Sequence, residues 1–245
     1  MNLKFKKCLV VVSKNPCLQI IQYYKNFNFD LFLLTPAIPK WRIEGVNYIL
    51  DSDVLKYSEI DFKLIDRPKW YYQQFLKIAV VMKLPYEYIH IIDGDSFLDE
   101  EAINSFDKLY YSKKNINICY CNFNSKFGLT SVQKNFIVNH MVFHKETLIK
   151  MFNDVFISWD HILININNGS WLSEYYTYAN YVLTSGRIVA LKKIKVFRRG
   201  DLLPKSCLSS LGTEYQLIAF EHQHTTSFLK KIYVKLLYFF KFNLG

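Results

Sequence analysis

The stretch YEYIHIIDGDSF, Tyr86 to Phe97, decides how the rest of this sequence is read. It begins as an apolar, β-branched run and ends in two carboxylates, Asp93 and Asp95, separated by Gly94. Such a run, bounded by turn residues, reads as a buried strand. Along an extended chain, side chains at i and i+2 point the same way, so the two carboxylates share one side. Side by side they repel unless a proton or a cation lies between them. Hard divalent ions such as Mg2+ or Mn2+ take carboxylate oxygens and keep positions open for phosphate groups. Gly94 lets the backbone bend and a ligand approach closely. The plain alternative is a loop that happens to be acidic, but the buried strand leading into the pair favours a metal site.

Outward from this strand the chain alternates. CLVVVS reads as a strand, CLQIIQYYKNF as a helix, and DLFLLTP and VNYIL as strands. In RPKWYYQQFLKIAVVMKLP, Tyr71, Phe75, Ile78 and Met82 recur at helical spacing, with Pro68 at the start and Pro85 closing the segment. A short acidic-capped helix is expected near Asp99 to Tyr110, and a strand at NICYCN. NFIVNHMVF reads as a strand leading into the helix KETLIKMF. Helices follow near Trp159 to Asn167 and Ser173 to Leu183, and short strands near Ile194 to Phe197 and Gln216 to Phe220. The pattern predicts an α/β fold, a sheet flanked by helices on both faces, with ligands beyond the C-terminal strand ends where Asp93 and Asp95 fall.

Apolar residues make up 51% of the 245 and charged residues 21%, which excludes a disordered chain. A net charge of +10 points to an anionic partner: a nucleotide, a phosphorylated lipid, a membrane surface or nucleic acid. The five cysteines form no CxxC and are odd in number, so reduced thiols are expected; Cys119 and Cys121 would share one face of a strand. The first apolar run, Cys8 to Val12, is too short for the core of a signal peptide, and no window reaches the roughly 18 apolar residues of a spanning helix. In SFLKKIYVKLLYFFKF, Leu229, Ile232, Tyr233, Leu236 and Phe240 share one side of a helical wheel and Lys230, Lys231, Lys235 and Lys241 the other. That is the form of a helix lying on an anionic bilayer, or of a terminal helix packed on the body.

Gln73 and Lys77 are i, i+4 neighbours on the helix before the acidic strand, with Gln74 beside them. The lysine suits a phosphate and the amides a base or a sugar hydroxyl, although periodicity alone would give a solvated helix face. Asn139 and His140 interrupt an apolar strand, as pocket-lining residues do and as a satisfied buried histidine also does. Arg198 and Arg199 would attract an anionic acceptor or solvate a loop.

WYYQQFLK followed by YIHIIDGDSF resembles the GT-A glycosyltransferases, and within them a bacterial family of polysaccharide-locus enzymes. The resemblance rests on Trp70-Tyr71-Tyr72-Gln73-Gln74-Phe75-Leu76-Lys77, the Asp93-Gly94-Asp95 motif, Ser173-Glu174-Tyr175 and Phe220-Glu221-His222, in that order. It implies a GT-A-like (Rossmann-type) mixed sheet over residues 1–225, with a nucleotide-sugar-binding half at 1–125 and an acceptor-binding half at 126–225. Residues 226–245 form the basic amphipathic tail. The implied activity is transfer of a sugar from a nucleotide-sugar donor to a glycan or lipid-linked glycan of the bacterial surface. The matching pieces run from about residue 70 to 224 and leave out the tail, whose basic amphipathic pattern separately leads to the expectation of a place at the inner face of the cytoplasmic membrane.

By the same resemblance, Asp95 ligates a Mn2+ or Mg2+ ion bridging the donor diphosphate, and Asp93 contacts the ribose or a metal-bound water. Gln73, Gln74, Lys77, Asn139 and His140 become candidates for holding the donor. His222, or His224 beside it, supplies a further ligand from the C-terminal side. Glu174, which would otherwise be an acidic residue complementing a helix dipole with Ser173 as its cap, becomes the base that takes the acceptor proton, with Asp160 in reserve.

Two rival readings carry less. A phosphohydrolase of the haloacid dehalogenase type also ends a strand in DxD, but it needs a later lysine and paired acidic motif, and Asp201 stands alone. A non-catalytic binder of an anionic polymer would account for the charge. That charge is dispersed, and no nucleic-acid motif is present, so nucleic acid is not expected as a partner.

Overall fold

The computed structural model of the chain describes residues 6–63, 65–187, 189–198 and 215–220. The N-terminal part winds as expected. Strand β1 (Lys7–Val12) leads into helix α1 (Leu18–Lys25), then strands β2 (Asp30–Thr35) and β3 (Val46–Leu50). After a single turn of helix α2 (Asp51–Val54) comes the long helix α3 (Pro68–Lys83), with proline at its first position, where no intrahelical N–H is needed. Strand β4 (Tyr88–Asp93) follows and delivers the acidic pair.

The order across the main sheet is β3-β2-β1-β4 and then β7 (His140–His144), with β1 to β4 parallel and β7 antiparallel to β4. The chain therefore builds outward from β1 through β2 to β3, and crosses back to lay β4 on the other side of β1. This reversal opens a crevice between the C-terminal ends of β1 and β4, where ligands of open α/β sheets bind. Register pairs Val12 with Asp93, so the two strands end together.

Both faces of this sheet are covered, as near-continuous apolar strands require. On one face, Val10, Val12, Ile89 and Ile91 pack with Phe75, Ile78, Tyr175 and Tyr178. On the other, Leu9, Val11 and Ile92 pack with Ile20, Ile21, Tyr24 and Ile103.

Three sequence expectations fail here. Between the short strand β5 (Ser96–Leu98) and residue 111 there is no single helix. Helix α4 (Glu100–Asn104), capped by Asp99, ends early, and Lys108–Tyr111 form strand β6. NICYCN is the start of helix α5 (Ile118–Lys126), not a strand, with Asn117 as its cap accepting from the Cys119 N–H. Cys119 and Cys121 therefore do not share a strand face; Cys121 is buried and meets the Tyr176 hydroxyl at 3.2 Å. NFIVNHMVF is extended only from His140, because Asn139 takes the left-handed conformation, φ 60°.

The later helices and the last two strands agree with expectation, whereas the π-helical turn and the strand at Ala190–Lys193 are not among the expected elements. Helix α6 (Lys145–Met151) runs into a π-helical turn at Phe152–Phe156, followed by α7 (Trp159–Ile164) and α8 (Glu174–Thr184). Strand β8 (Ala190–Lys193) pairs with β6, and β9 (Val196–Arg198) and β10 (Leu217–Ala219) form a small sheet with β5. The amphipathic segment at 226–245 lies outside the described residues, as do His222, His224 and Arg199. No helix among the described residues is long and apolar enough to cross a membrane.

Candidate active site

Asp93 closes β4, and its side chain turns to the face covered by α3 and α8. There the Lys77 ammonium meets Asp93 Oδ1 at 2.6 Å and Glu174 Oε1 at 2.7 Å. The Tyr175 hydroxyl donates to the same Asp93 Oδ1 at 2.9 Å, and Lys77 Nζ lies 4.5 Å above the Tyr175 ring. In the orientation its surroundings favour, the Gln74 amide donates to both Glu174 oxygens, with Oε1 at 3.0 Å. Helix geometry puts Gln74 and Lys77 on one face, one turn apart, and Ser173 caps α8 so that Glu174 starts it.

The inner part of this cluster is dry, while Asp93 reaches the cavity. Lys77 is 6% exposed and Glu174 1%. Burial opposes charge on Lys77, but Asp93 and Glu174 outweigh it and hold its pKa above the ordinary lysine value. Burial pushes Glu174 up, Lys77 pulls it down and Asp93 pushes it up again; the net shift is upward. A buried ion group of this kind stands only because each charge has partners.

The cation beside Asp93 is therefore the protein's own Lys77, and the helix face carrying Gln74 and Lys77 is interior rather than solvated. Glu174 stands behind this lysine, with both oxygens engaged and no place on the cavity wall. That arrangement departs from the expectation of a base, which must reach the acceptor hydroxyl. Asp160 is exposed at the start of α7 and does not join the cluster.

The cavity itself, about 430 Å³, lies in the crevice between β1 and β4. Its walls carry Ser13, Lys14 and Asn15 from the end of β1, Trp70, Gln73, Gln74 and Lys77 from α3, Asp93 to Asp95, and Phe220. The Asp95 carboxyl accepts from the Ser96 hydroxyl at 3.1 Å, and burial followed by the nearby Asp93 charge raises its pKa. Burial also lowers Arg198, a shift opposed by Asp93 and Asp95, which places this arginine within their field rather than on a solvated loop.

The turn is held by backbone. Gly94 N–H donates to the Val12 carbonyl at 2.8 Å, Asp93 N–H to Asn139 at 2.8 Å, and Phe220 N–H to Asp95 at 2.8 Å. A Cβ on Gly94 would lie 2.9 Å from that Val12 oxygen and 2.6 Å from Ser13 Oγ, so only glycine fits.

Asn139 acts on the site through its backbone. His140, 1% exposed, is not on the cavity wall and bonds His90 across the strands at 2.9 Å. It is a buried histidine, though only half satisfied, because its Nε2 has no partner among the described residues. Sequence reasoning missed Lys14, Asn15 and Tyr175. The first two carry no motif, but follow directly from placing the end of β1 beside the end of β4.

As a metal site the described part offers two carboxylates, and no cluster of three or more His, Cys, Asp or Glu suited to a metal occurs among the described residues. The donor set of Asp93 and Asp95 fits a hard divalent ion that retains other ligands. Burial is the larger cause of the raised Asp95 pKa, and the smaller part, due to the Asp93 charge, is what such an ion would relieve.

No protein-family model and no curated protein sequence matches the chain. Among solved structures, mouse xyloside xylosyltransferase 1 aligns over 90% of this chain and 99% of its own, at 10% identity and TM-score 0.45. An active-site mutant of LgtC aligns over 94% of both chains at 9% identity and TM-score 0.48. The glycosyltransferase GlyE of Streptococcus pneumoniae TIGR4 aligns over 94% of this chain and 60% of its own, at 13% identity and TM-score 0.44. At these scores no residue role is carried from them onto this chain.

Proposed function

We propose that this chain is a nucleotide-sugar-dependent glycosyltransferase acting on a bacterial surface glycan, its catalytic domain covering residues 1–225. The observation that carries the reading is the pair Asp93 and Asp95 at the mouth of a cavity set in the crevice between β1 and β4. Such a crevice suits a nucleotide diphosphate, and a cavity of about 430 Å³ is of the size small-molecule sites have.

In this reading Asp95 and Asp93 hold a Mn2+ or Mg2+ ion, which neutralises the charge growing on the leaving diphosphate. Lys14, exposed at the cavity, offers an ammonium to the same phosphates. Gln73 presents its amide to the donor. Lys77 fixes Asp93, and Glu174 fixes Lys77, so both serve as positioning residues. His222 comes two residues after Phe220 on the cavity wall, and two residues span at most about 7 Å, which supports it as a further ligand.

The phosphohydrolase alternative has one observation in its favour, a lysine on the Asp93 carboxylate. Against it, no acidic residue other than Asp93 and Asp95 lines the cavity among the described residues.

Calorimetric titration with UDP-, GDP-, CMP- and dTDP-sugars, with and without Mn2+, tests the reading on the native chain and on Asp95→Ala. Metal-dependent binding of one donor, lost in Asp95→Ala, is expected. Failure of every nucleotide sugar with metal present, in a folded protein, would sink the proposal and turn attention to phosphate monoesters.

A further inference from the structure

A second cavity, about 280 Å³, lies between the start of α3 and the Asn167–Ser170 turn. Its walls include Asp66, Arg67, Trp70, Asn167, Asn168 and Trp171. Trp70 also lines the crevice cavity, so one indole forms part of both walls. We propose that this second cavity is a carbohydrate subsite that receives a neutral pyranose residue of the acceptor. The assignment as acceptor subsite rests on the glycosyltransferase reading.

The chemistry of the wall is that of sugar recognition. An indole offers a broad apolar face with a polar edge, which suits the C–H face of a pyranose ring. Hydroxyls both donate and accept, so they need acceptors such as a carboxylate and mixed partners such as amides. Asp66 and Asn168 make no side-chain hydrogen bond or ion pair among the described residues. Asn167 spends its carbonyl on the Gly169 N–H at 3.0 Å, which leaves its amide nitrogen to donate.

The site is also held in shape. Asn167 and Ser170 exchange backbone hydrogen bonds of 3.0 Å, Asn122 Nδ2 donates to Gly169 at 2.9 Å, and the Trp171 N–H donates to Cys119 at 2.9 Å. This ties the turn to α5. Tyr120 meets the Trp171 ring edge-on at 5.8 Å, which fixes that indole.

On the opposite wall Arg67 adopts the left-handed conformation, φ 62° and ψ 49°, directly before Pro68. A residue before proline is disfavoured in helical conformations, and strain of this kind gathers where a fold positions a ligand group. The strained turn places the Arg67 guanidinium 4.7 Å from the Trp70 ring centroid.

Size and charge narrow the ligand. Ligand pockets start at about 300 Å³, so this cavity takes one sugar ring rather than an oligosaccharide. The exposed Asp66 carboxylate and Arg67 guanidinium leave this wall without net charge, which suits a neutral sugar rather than an acidic one. The shared Trp70 sets that ring next to the cavity proposed for the donor.

The test uses the full chain and a panel of methyl pyranosides (glucoside, galactoside, mannoside, N-acetylglucosaminide), followed by saturation-transfer NMR. Methyl glucuronide is the charged control. At least one neutral glycoside is expected to bind the native protein, and to bind Asn168→Ala and Trp171→Leu about tenfold more weakly or not at all. Nucleotide-sugar affinity by calorimetry should be unchanged in both variants, and Asp66→Asn should admit the glucuronide. Asn168 is exposed, so its variant keeps the test valid if Trp171→Leu fails to fold.

Binding that survives both variants, or no neutral glycoside bound by the native chain, overturns the subsite. If glycosides bind and are lost as expected but no nucleotide sugar binds, the acceptor assignment falls with the donor reading, and a sugar site without transferase chemistry is left.

Discussion

At the scale of single residues, the site is organised around one buried ammonium. Replacing Lys77 with Met leaves Asp93 and Glu174 facing each other without a cation, and breaking a buried ion group from one side costs about 3–5 kcal/mol. Urea denaturation should show that loss in Lys77→Met, and Lys77→Met/Glu174→Gln should recover part of it, because one uncompensated charge has gone. Equal stability of native and Lys77→Met chains would mean that the three groups do not form an ion cluster in solution. Gly94 makes a separate demand. A methyl group there collides with Ser13 Cβ and meets the Val12 backbone carbonyl at 2.9 Å, so Gly94→Ala should cost about 1–3 kcal/mol and weaken nucleotide-sugar binding together. Differential scanning calorimetry and donor titration on the same variant check both. The sequence exposed Asp93, Gly94 and Asp95 because a run of apolar residues ended in them. It did not expose the pairing of Lys77 with Glu174, 97 positions apart, since only packing of α3 against α8 brings them together.

At the scale of elements, legibility follows period and caps. The four apolar positions of α3, the β-branched runs of β1 and β4 and the short apolar run of β2 bounded by turn residues each point to one conformation, and all four elements formed where expected. NICYCN alternates like a strand, yet Asn117 caps a helix and Asn124 receives a hydrogen bond from Thr177 on α8 at 2.9 Å, so tertiary contact overrides a weak local pattern. Strands β4 and β7 carry a feature with a pH signature. His90 and His140 are fully buried and bonded to each other, while His140 Nε2 lacks a partner among the described residues. His90 Nδ1 and the Tyr110 hydroxyl make no well-formed hydrogen bond there, although the Ile103 backbone and Ser105 lie near them. Burial lowers His90 to about 4, against the weak opposing effect of the nearby Ile103 backbone, and lowers His140 well below the ordinary value. The unfolded chain takes up these protons near pH 6.5 and the fold does not, so their contribution is intact above about pH 6.5 and is lost as pH falls towards 4. Each histidine should contribute a slope of up to about 1.4 kcal/mol per pH unit in that window. The raised carboxyls of Asp95 and Glu174 act in the opposite sense, so the measurement is a difference. Stability of the native chain should fall relative to His90→Phe/His140→Phe between pH 7 and pH 5, and parallel curves would contradict it.

At the scale of the whole molecule, the charge and the site point in different directions. The proposed donor cavity sets Lys14 and Lys77 against Asp93 and Asp95, which balances its charge, while the chain carries a net +10, so most of the positive excess lies elsewhere. Part of it is in the segment 226–245, where Lys230, Lys231, Lys235 and Lys241 alternate with large apolar residues. A basic amphipathic segment gains about 1 kcal/mol per lysine near an anionic surface, in addition to its apolar contact. Four such lysines suffice for a membrane affinity that depends on lipid charge and on salt, because counter-charge is screened beyond about 10 Å at 0.1 M ionic strength. An enzyme that extends a lipid-linked glycan would gain by this, since its acceptor is confined to the same surface. Flotation with vesicles of phosphatidylcholine, alone or mixed with phosphatidylglycerol, separates the alternatives. The full chain should float only with the anionic vesicles, and raising the salt should release it. Removal of residues 226–245 should abolish flotation and leave nucleotide-sugar binding in place. Flotation retained after that removal would assign the basic surface to the body of the protein, and a chain that never floats would return the tail to the role of a helix packed on that body.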